Sequence, residues 1–502
     1  MNDLRQAVEM LQSLAGSYHR FSPKKGEKST YDSIFFAGLL DGSIRSDRDA
    51  VLLLFGSEDI SSTYRSFKSR FCTKLEHELL TVEIDRKKDG DLVWALVECS
   101  RKSVLVRLYY SYGKDIAAIS TVRETIALAE KYHLTQTQLE MLRLLQQDAQ
   151  LRGDLKDFEF YTARRKEVLR MASAEMETEE EYLRIATIAA RNSTPPPKDI
   201  EHSLLALQSI EVRYGDVEGY GFRMALFRLK NYVHSIMGNH EAAVDCCNET
   251  EYFYRKYPQF ASQIRMAEVF HRRMSELILM GKMSEAKYDA TRLVSVLQEG
   301  TPNWYYSMTN YFELCMQLLD FQEAAEVLVK LEKYVQKKDA DRSLKERVRI
   351  YKGYLWYCHH SGWATRQGSN LEKYEFIHQL PQFSKSDFIH SKDDKQGANF
   401  AVIVLDFLLH LHSDKLYDIN EEAFAKYEQR YMKNLSVRSN IFAKILRIIL
   451  KMDRPVDVLS EAIEPYLKQL SELPRMLDTA EILPFESVWE HILEKMKKLT
   501  VA

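Results

Sequence analysis

Residues 77–81 read HELLT, the opening of a helical zinc-hydrolase motif. That chemistry needs two histidines one turn apart on the same helix face, with the glutamate as general base. Thr81 stands where the second histidine must be. GEKST at 26–30 offers Lys28 followed by two hydroxyls, but lacks the glycine spacing that lets a backbone loop cradle phosphate. GYGF at 219–222 has two of the three glycines of a dinucleotide turn, and no GxSxG occurs. DRKKDGD at 85–91 is a polar loop; no glutamate follows it to complete a calcium site, because Val93–Val97 is apolar. Cys358, His359 and His360, with His410 and His412, form the densest set of soft ligands. Neighbouring side chains on a helix diverge by about 100°, so neither histidine pair converges on one ion and satisfied or solvated rings are expected. No catalytic group, metal or cofactor is expected anywhere in the chain.

Two features remain that suit binding rather than bond-making. NWYYSMTNYF at 303–312 is rich in tyrosine at helical spacing, which suits a helical core or the wall of a groove. METEEEY at 176–182 reads as the solvated first turn of a helix, where the dipole favours acids.

The elements that carry these residues are helices. Only 18 Gly and 11 Pro punctuate 502 residues, too few for the turns of a strand-rich protein. Hydrophobic content of 45% against 28% charged residues fits an ordered soluble chain. A net charge of −3 gives no global pull toward nucleic acid. The six cysteines include no CxxC spacing, so buried, reduced thiols are expected. The first twenty residues lack the basic and apolar parts of a secretion signal, and IVLDFLLHLH at 403–412 is too short to span a bilayer. A cytoplasmic protein is expected.

A repeat organises the helices. Gly113, Gly153, Gly238 and Gly281 each precede a small or apolar residue at fixed spacing: Ala118, Phe158, Ala243 and Ala286, with Ala325 closing LDFQEAA. The separations are 40, 85, 43 and 39 residues, so the long interval hides one further unit. Leu183–Arg191, the proline-rich turn NSTPPP and a stretch ending at Tyr214 supply it. Each unit reads as two helices, the first ending at the turn and the second starting with a residue small enough for close crossing. Met224, Leu226, Phe227, Tyr232 and Ile236 line the first helix before Gly238, and Pro258 ends the second.

Gly238-Asn239, Ala243 and Pro258 resemble the turn, packing alanine and closing proline of a tetratricopeptide repeat, whose period is about 34 residues. The longer period here implies longer helices, similar to the TPR-like sensor domains of bacterial regulators. The likeness covers Leu92–Lys337. SKDDKQGAN at 391–399, VRSNIFAKIL at 437–446, ILPFESVWEHIL at 482–493, DAVLLLFGS and TYRSFKSR extend it to a family of large bacterial TPR-like proteins. That likeness implies a fold and no activity: an all-α, TPR-like α-solenoid of antiparallel helix pairs with helical flanks. The expected divisions are an N-terminal helical unit at 1–90, repeats at 91–337 and a helical C-terminal region at 338–502, with a polar connection at 361–397.

In a tetratricopeptide-like register the first helices would expose Arg228, Tyr232, Glu268, His271, Tyr306 and Glu313 along a concave face, which suits a peptide or partner helix. The leading expectation is a non-catalytic protein- or peptide-binding scaffold. The alternative is a transcriptional regulator in which residues 30–83 bind DNA through Arg65, Lys68, Arg70 and Lys74 of a third short helix. At about 100° per residue these four split into two pairs, a poor surface for tracking phosphates. Nucleic acid and membrane are therefore not the expected partners.

Overall fold

The computed structural model describes residues 1–15, 19–21, 30–57, 59–86, 90–191, 195–336, 342–379, 398–413, 435–450, 456–475, 477 and 479–501. All regular structure among them is helical. The helices are α1 (Asn2–Ala15), α2 (Tyr31–Leu40), α3 (Asp47–Phe55), α4 (Ser62–Thr81), α5 (Asp91–Ser111), α6 (Asp115–Lys131), α7 (Thr135–Arg152) and α8 (Leu155–Arg191). They continue as α9 (Pro197–Tyr214), α10 (Tyr220–Ile236), α11 (His240–Lys256), α12 (Gln263–Leu279), α13 (Met283–Val296), α14 (Pro302–Gln317), α15 (Phe321–Val335) and α16 (Arg342–His360). The last are α17 (Trp363–Arg366), α18 (Ala398–His412), α19 (Val437–Leu450), α20 (Val456–Glu472) and α21 (Phe485–Val501). A helix expected at 421–434 lies outside the described residues, as do most of GEKST and SKDDKQGAN and all of the 361–397 connection beyond residue 379.

Two compact units form. One comprises Met1–Ser173, Glu218–Gly221 and Pro258–Phe260; the other comprises Ala174–Val217, Phe222–Tyr257 and Ala261–Ala502. In the first, α1–α4 share a core in which the Phe35 ring meets Phe67 and Phe71 edge-on. Ser61 caps α4, and Tyr64, Phe67, Phe71 and Leu75 are its buried stripe. Val106, Val122, Met141, Leu144 and Leu145 form a second core across α5, α6 and α7.

Helix ends repeat one device. At Gly113, Gly153, Gly238 and Gly281 the backbone turns left-handed, with φ of 64°, 71°, 75° and 73°. The next N–H then reaches back to the carbonyl five residues earlier: Lys114 to Tyr109 and Lys282 to Leu277 at 2.8 Å, Asp154 to Ala149 and Asn239 to His234 at 2.9 Å. This closes orphan carbonyls at the helix end and leaves room for the next helix to start at once. His133 and Leu319 adopt the same turn at φ 52° and 57°, although neither is glycine. These two were not recognisable by composition.

The residue five after the turn is buried at five of these six turns; Phe158, after Gly153, is half-buried. Ala118, Ala243 and Ala286 have no exposed surface there. After Leu319 the equivalent is Ala324, one residue before the Ala325 chosen by spacing; both are fully buried. After His133 it is Gln138, whose amide donates to the Ala129 carbonyl at 3.0 Å. The interval between Phe158 and Ala243 departs from expectation: α8 runs unbroken through 37 residues, so Leu183–Arg191 is its end and not a separate helix.

Replacing Ala243 with leucine inserts three carbons into a crossing with no free surface, and should cost about 1–3 kcal/mol. Thermal melts of Ala243→Leu and the parent measure it; equal stability would remove Ala243 from the crossing.

Candidate functional site

The first helices of the proposed pairs meet through long polar side chains. Arg228 of α10 clasps Glu268 of α12 with two parallel bonds, Nε to Oε1 and Nη2 to Oε2, each 3.0 Å. Arg272, one turn beyond Glu268, binds the same Oε1 from Nε and Nη2 at 3.3 and 3.2 Å. Its Nη1 donates to the Asn231 side-chain oxygen at 3.2 Å and its Nη2 to the Tyr182 hydroxyl at 3.4 Å. The Tyr182 ring stands edge-on to Tyr232, 6.0 Å between centroids. Thus α8, α10 and α12 bring Arg228, Tyr232 and Glu268 into one half-buried cluster, joined by Tyr182, Asn231 and Arg272.

Two guanidinium groups face one carboxylate. Burial pushes the Glu268 pKa up, but the bonds and charges of Arg228 and Arg272 outweigh it and hold the carboxyl below its ordinary range. Arg228 remains 42% exposed, and Glu268 takes two of its five N–H donors. The cluster therefore keeps hydrogen-bonding capacity and excess positive charge on an accessible surface.

The other expected face residues divide. His271 is exposed, and desolvation, with the neighbouring Arg272 charge, lowers its pKa. Tyr306 is 60% exposed. Glu313 corrects the expectation: it is 4% exposed and accepts the Tyr351 hydroxyl at 2.5 Å, with Tyr351 stacked on Phe312 at 4.0 Å. Burial, with the Glu313 charge, pushes the Tyr351 phenol well above its usual range. Around Tyr306 the aromatic stretch is core, since Trp304, Tyr305, Tyr311 and Phe312 are buried.

Arg272 and Tyr182 were missed, although HRRMSE carried a signal. Adjacent arginines on one helix point about 100° apart, so each serves a different neighbour. Arg273 turns to the other side and is 8% exposed. It binds both Asp289 oxygens at 2.7 and 2.6 Å, Asn248 at 2.9 Å and Glu251 at 2.7 Å. Arg292 of α13 also binds Glu251 and lies 3.9 Å over the Phe270 ring. METEEEY is likewise corrected. It lies inside α8, where Glu177 receives Arg213 at 2.7 Å and Glu181 receives Arg184 at 2.9 Å and Ser203 at 2.6 Å.

No metal-ligating group of three or more His, Cys, Asp or Glu occurs among the described residues. His360 Nδ1 meets the Trp356 carbonyl at 2.9 Å and His410 Nδ1 that of Asp406 at 2.8 Å. Burial raises the thiol pKa of Cys246 to about 11 and of Cys247 to about 12, so both are protonated. On α4, Lys68 is paired with Asp47 at 2.7 Å and Lys74 with Asp32 at 2.5 Å, while Arg65 and Arg70 are exposed. The four basic residues do not act as one unpaired patch.

Comparison with protein-family models, curated proteins and solved structures returns no match to this chain. The site therefore has to be read from its own geometry. Its closed part is the Arg273 network; its open part is the Arg228–Arg272 cluster with His271 beside it.

The closed part has a pH signature. Burial alone would raise the Glu251 pKa, but the bonds from Arg292 and Arg273 bring it down from 4.5 to about 2. A depressed carboxyl pKa stabilises the fold above its unfolded value, and that contribution is lost as pH falls from 4.5 towards 2. At neutral pH Glu251→Gln should cost about 3 kcal/mol. The stability gap between variant and parent should close across that acid window. Denaturant melts over pH measure it, and a gap independent of pH would refute the assignment.

Proposed function

We propose that the chain is a non-catalytic protein- or peptide-binding scaffold, built as a TPR-like solenoid of antiparallel helix pairs. The observation that carries this reading is the Arg228–Glu268–Arg272 cluster, an open set of charge and aromatic surface held by three alternate helices. The recurring left-handed turn and buried small residue support the repeat, because they set each second helix against its first in the same register. In such a stack the first helices of successive pairs line a concave face.

Tyrosine and arginine give large contact area and many donors with little loss of freedom on binding, the make-up of interaction surfaces. The excess guanidinium over carboxylate suits a partner segment that brings acceptors, whether backbone carbonyls or acids. The polar groups nearby are spent on ion pairs and the buried thiols are protonated, which favours recognition over bond-making.

Photo-crosslinkers placed at His271 and Tyr306, on the first helices α12 and α14, should trap the same partner. Positions Tyr252 and Tyr288 on the second helices α11 and α13, exposed to 68% and 65%, should not. Trapping from Tyr252 and Tyr288 alone would overturn the reading.

The reading gives residues 30–83 no DNA-binding role, and the pairing of Lys68 with Asp47 and Lys74 with Asp32 supports this. Gel shifts with random duplex at low salt should give no complex at micromolar protein. A complex that weakens steeply with added salt, the mark of counterion release, would favour the regulator instead.

A further inference from the structure

Helices α20 and α21 frame a groove of about 780 Å³. One wall is a single face of α20, on which Glu461, Glu464, Pro465 and Lys468 follow helical spacing. The facing wall is the start of α21, with Glu486, Trp489 and Glu490. The lining also holds apolar residues: Pro465 is exposed, Leu467 half-buried and Trp489 buried.

Among the described residues the acidic charge of the lining is only partly compensated. Glu486 is engaged by Arg438 at 3.0 and 2.9 Å. Glu461, Glu464 and Glu490 are exposed and have no ion pair among the described residues. Lys468, the one basic residue of the lining, offsets only one of the three. Pro465 sits inside α20 and supplies no N–H to the Glu461 carbonyl four residues earlier. Three exposed carboxylates against one ammonium leave the lining with more acceptors than cationic donors.

We propose that this groove docks a basic amphipathic segment of a partner protein. Its lysine or arginine side chains meet Glu461, Glu464 and Glu490, and its apolar side chains cover Pro465 and Leu467. The face of α20 from Glu461 to Ser471 is about 15 Å long, room for a helical segment of about three turns. The groove goes beyond the scaffold reading and lies on other helices, so either can fail while the other stands.

The test uses the full chain and a fluorescein-labelled amphipathic Leu/Lys helix, read by fluorescence anisotropy. A Leu/Glu peptide of the same pattern is the comparison. The Leu/Lys peptide should bind, weaken with salt, and lose about tenfold or more in affinity with Glu461→Lys, Glu464→Lys and Glu490→Lys combined. Reversal of the exposed acids Glu179 and Glu180 on α8 should change its Kd by no more than about twofold. If the triple variant melts early, Glu→Gln at the same three positions replaces it under the same criterion. The proposal is overturned if the parent fails to bind, if the triple variant binds as well as the parent, or if the α8 control loses as much.

Discussion

How near two successive helices can lie depends here on one left-handed residue and the size of the side chain five positions later. The left-handed turn lets the first helix end and the second begin within three residues. The fourth residue of the second helix is then aimed at the first. Ala118, Ala243, Ala286 and Ala324 have no exposed surface at that point, so the methyl group is the spacer between backbones. For an L-residue the left-handed turn costs about 1–2 kcal/mol. At the glycine turns no neighbour would meet an added Cβ, so backbone conformation alone demands glycine. His133 tolerates it in a site where its ring accepts the Tyr220 N–H at 3.3 Å and stands edge-on to Phe260 at 5.3 Å.

Charged side chains tie helices together within a pair, as Arg273 to Asp289 across α12 and α13, and between pairs, as Arg228 to Glu268 across α10 and α12. A buried cation is tolerated when every donor has an acceptor. Arg438 meets that condition with Glu481, Glu486 and the carbonyls of Leu470 and Leu473, and Arg273 places four of its five N–H donors on Asp289, Glu251 and Asn248. Such clusters act as keys, since a slip of one helix by one residue would leave a charge unpaired. Arg228 and Arg272 differ from them in one respect. They share a single carboxylate at the surface, and the donors left over on Arg228 are what the proposed partner would meet.

Local pattern made much of this legible. The four glycines that set the repeat register, Gly113, Gly153, Gly238 and Gly281, mark four helix ends. What failed was whatever depended on a distant neighbour. METEEEY looked like a helix start because its acids had no visible partners, yet Arg213, Arg184 and Ser203 supply them from α8 itself and from α9. Glu313 fitted an exposed position by register, but Tyr351 on α16 covers it. His133 and Leu319 carried no turn composition, so their turns were invisible until the backbone was seen. Of the six face residues, spacing grouped Arg228, Tyr232 and Glu268 correctly and could not foresee Arg272 as the residue that binds them.

Two of the distinctive C-terminal stretches have a structural explanation that bears on function. VRSNIFAKIL contains Arg438, and ILPFESVWEHIL contains Glu486 and follows directly on Glu481. Arg438 takes carbonyls at the C-terminal end of α20 with one nitrogen and carboxylates at the start of α21 with the others. A guanidinium is rigid and planar, so one group fixes both helix ends at once. Burial raises the Glu481 pKa despite Arg438, which is the electrostatic strain of holding that carboxylate at 2% exposure. The helices tied together in this way are the walls of the acidic groove, and Glu486 belongs to both the tie and the lining. The groove's width is therefore set by a buried ion cluster rather than by a loop. A surface held open in advance loses little order when it is filled.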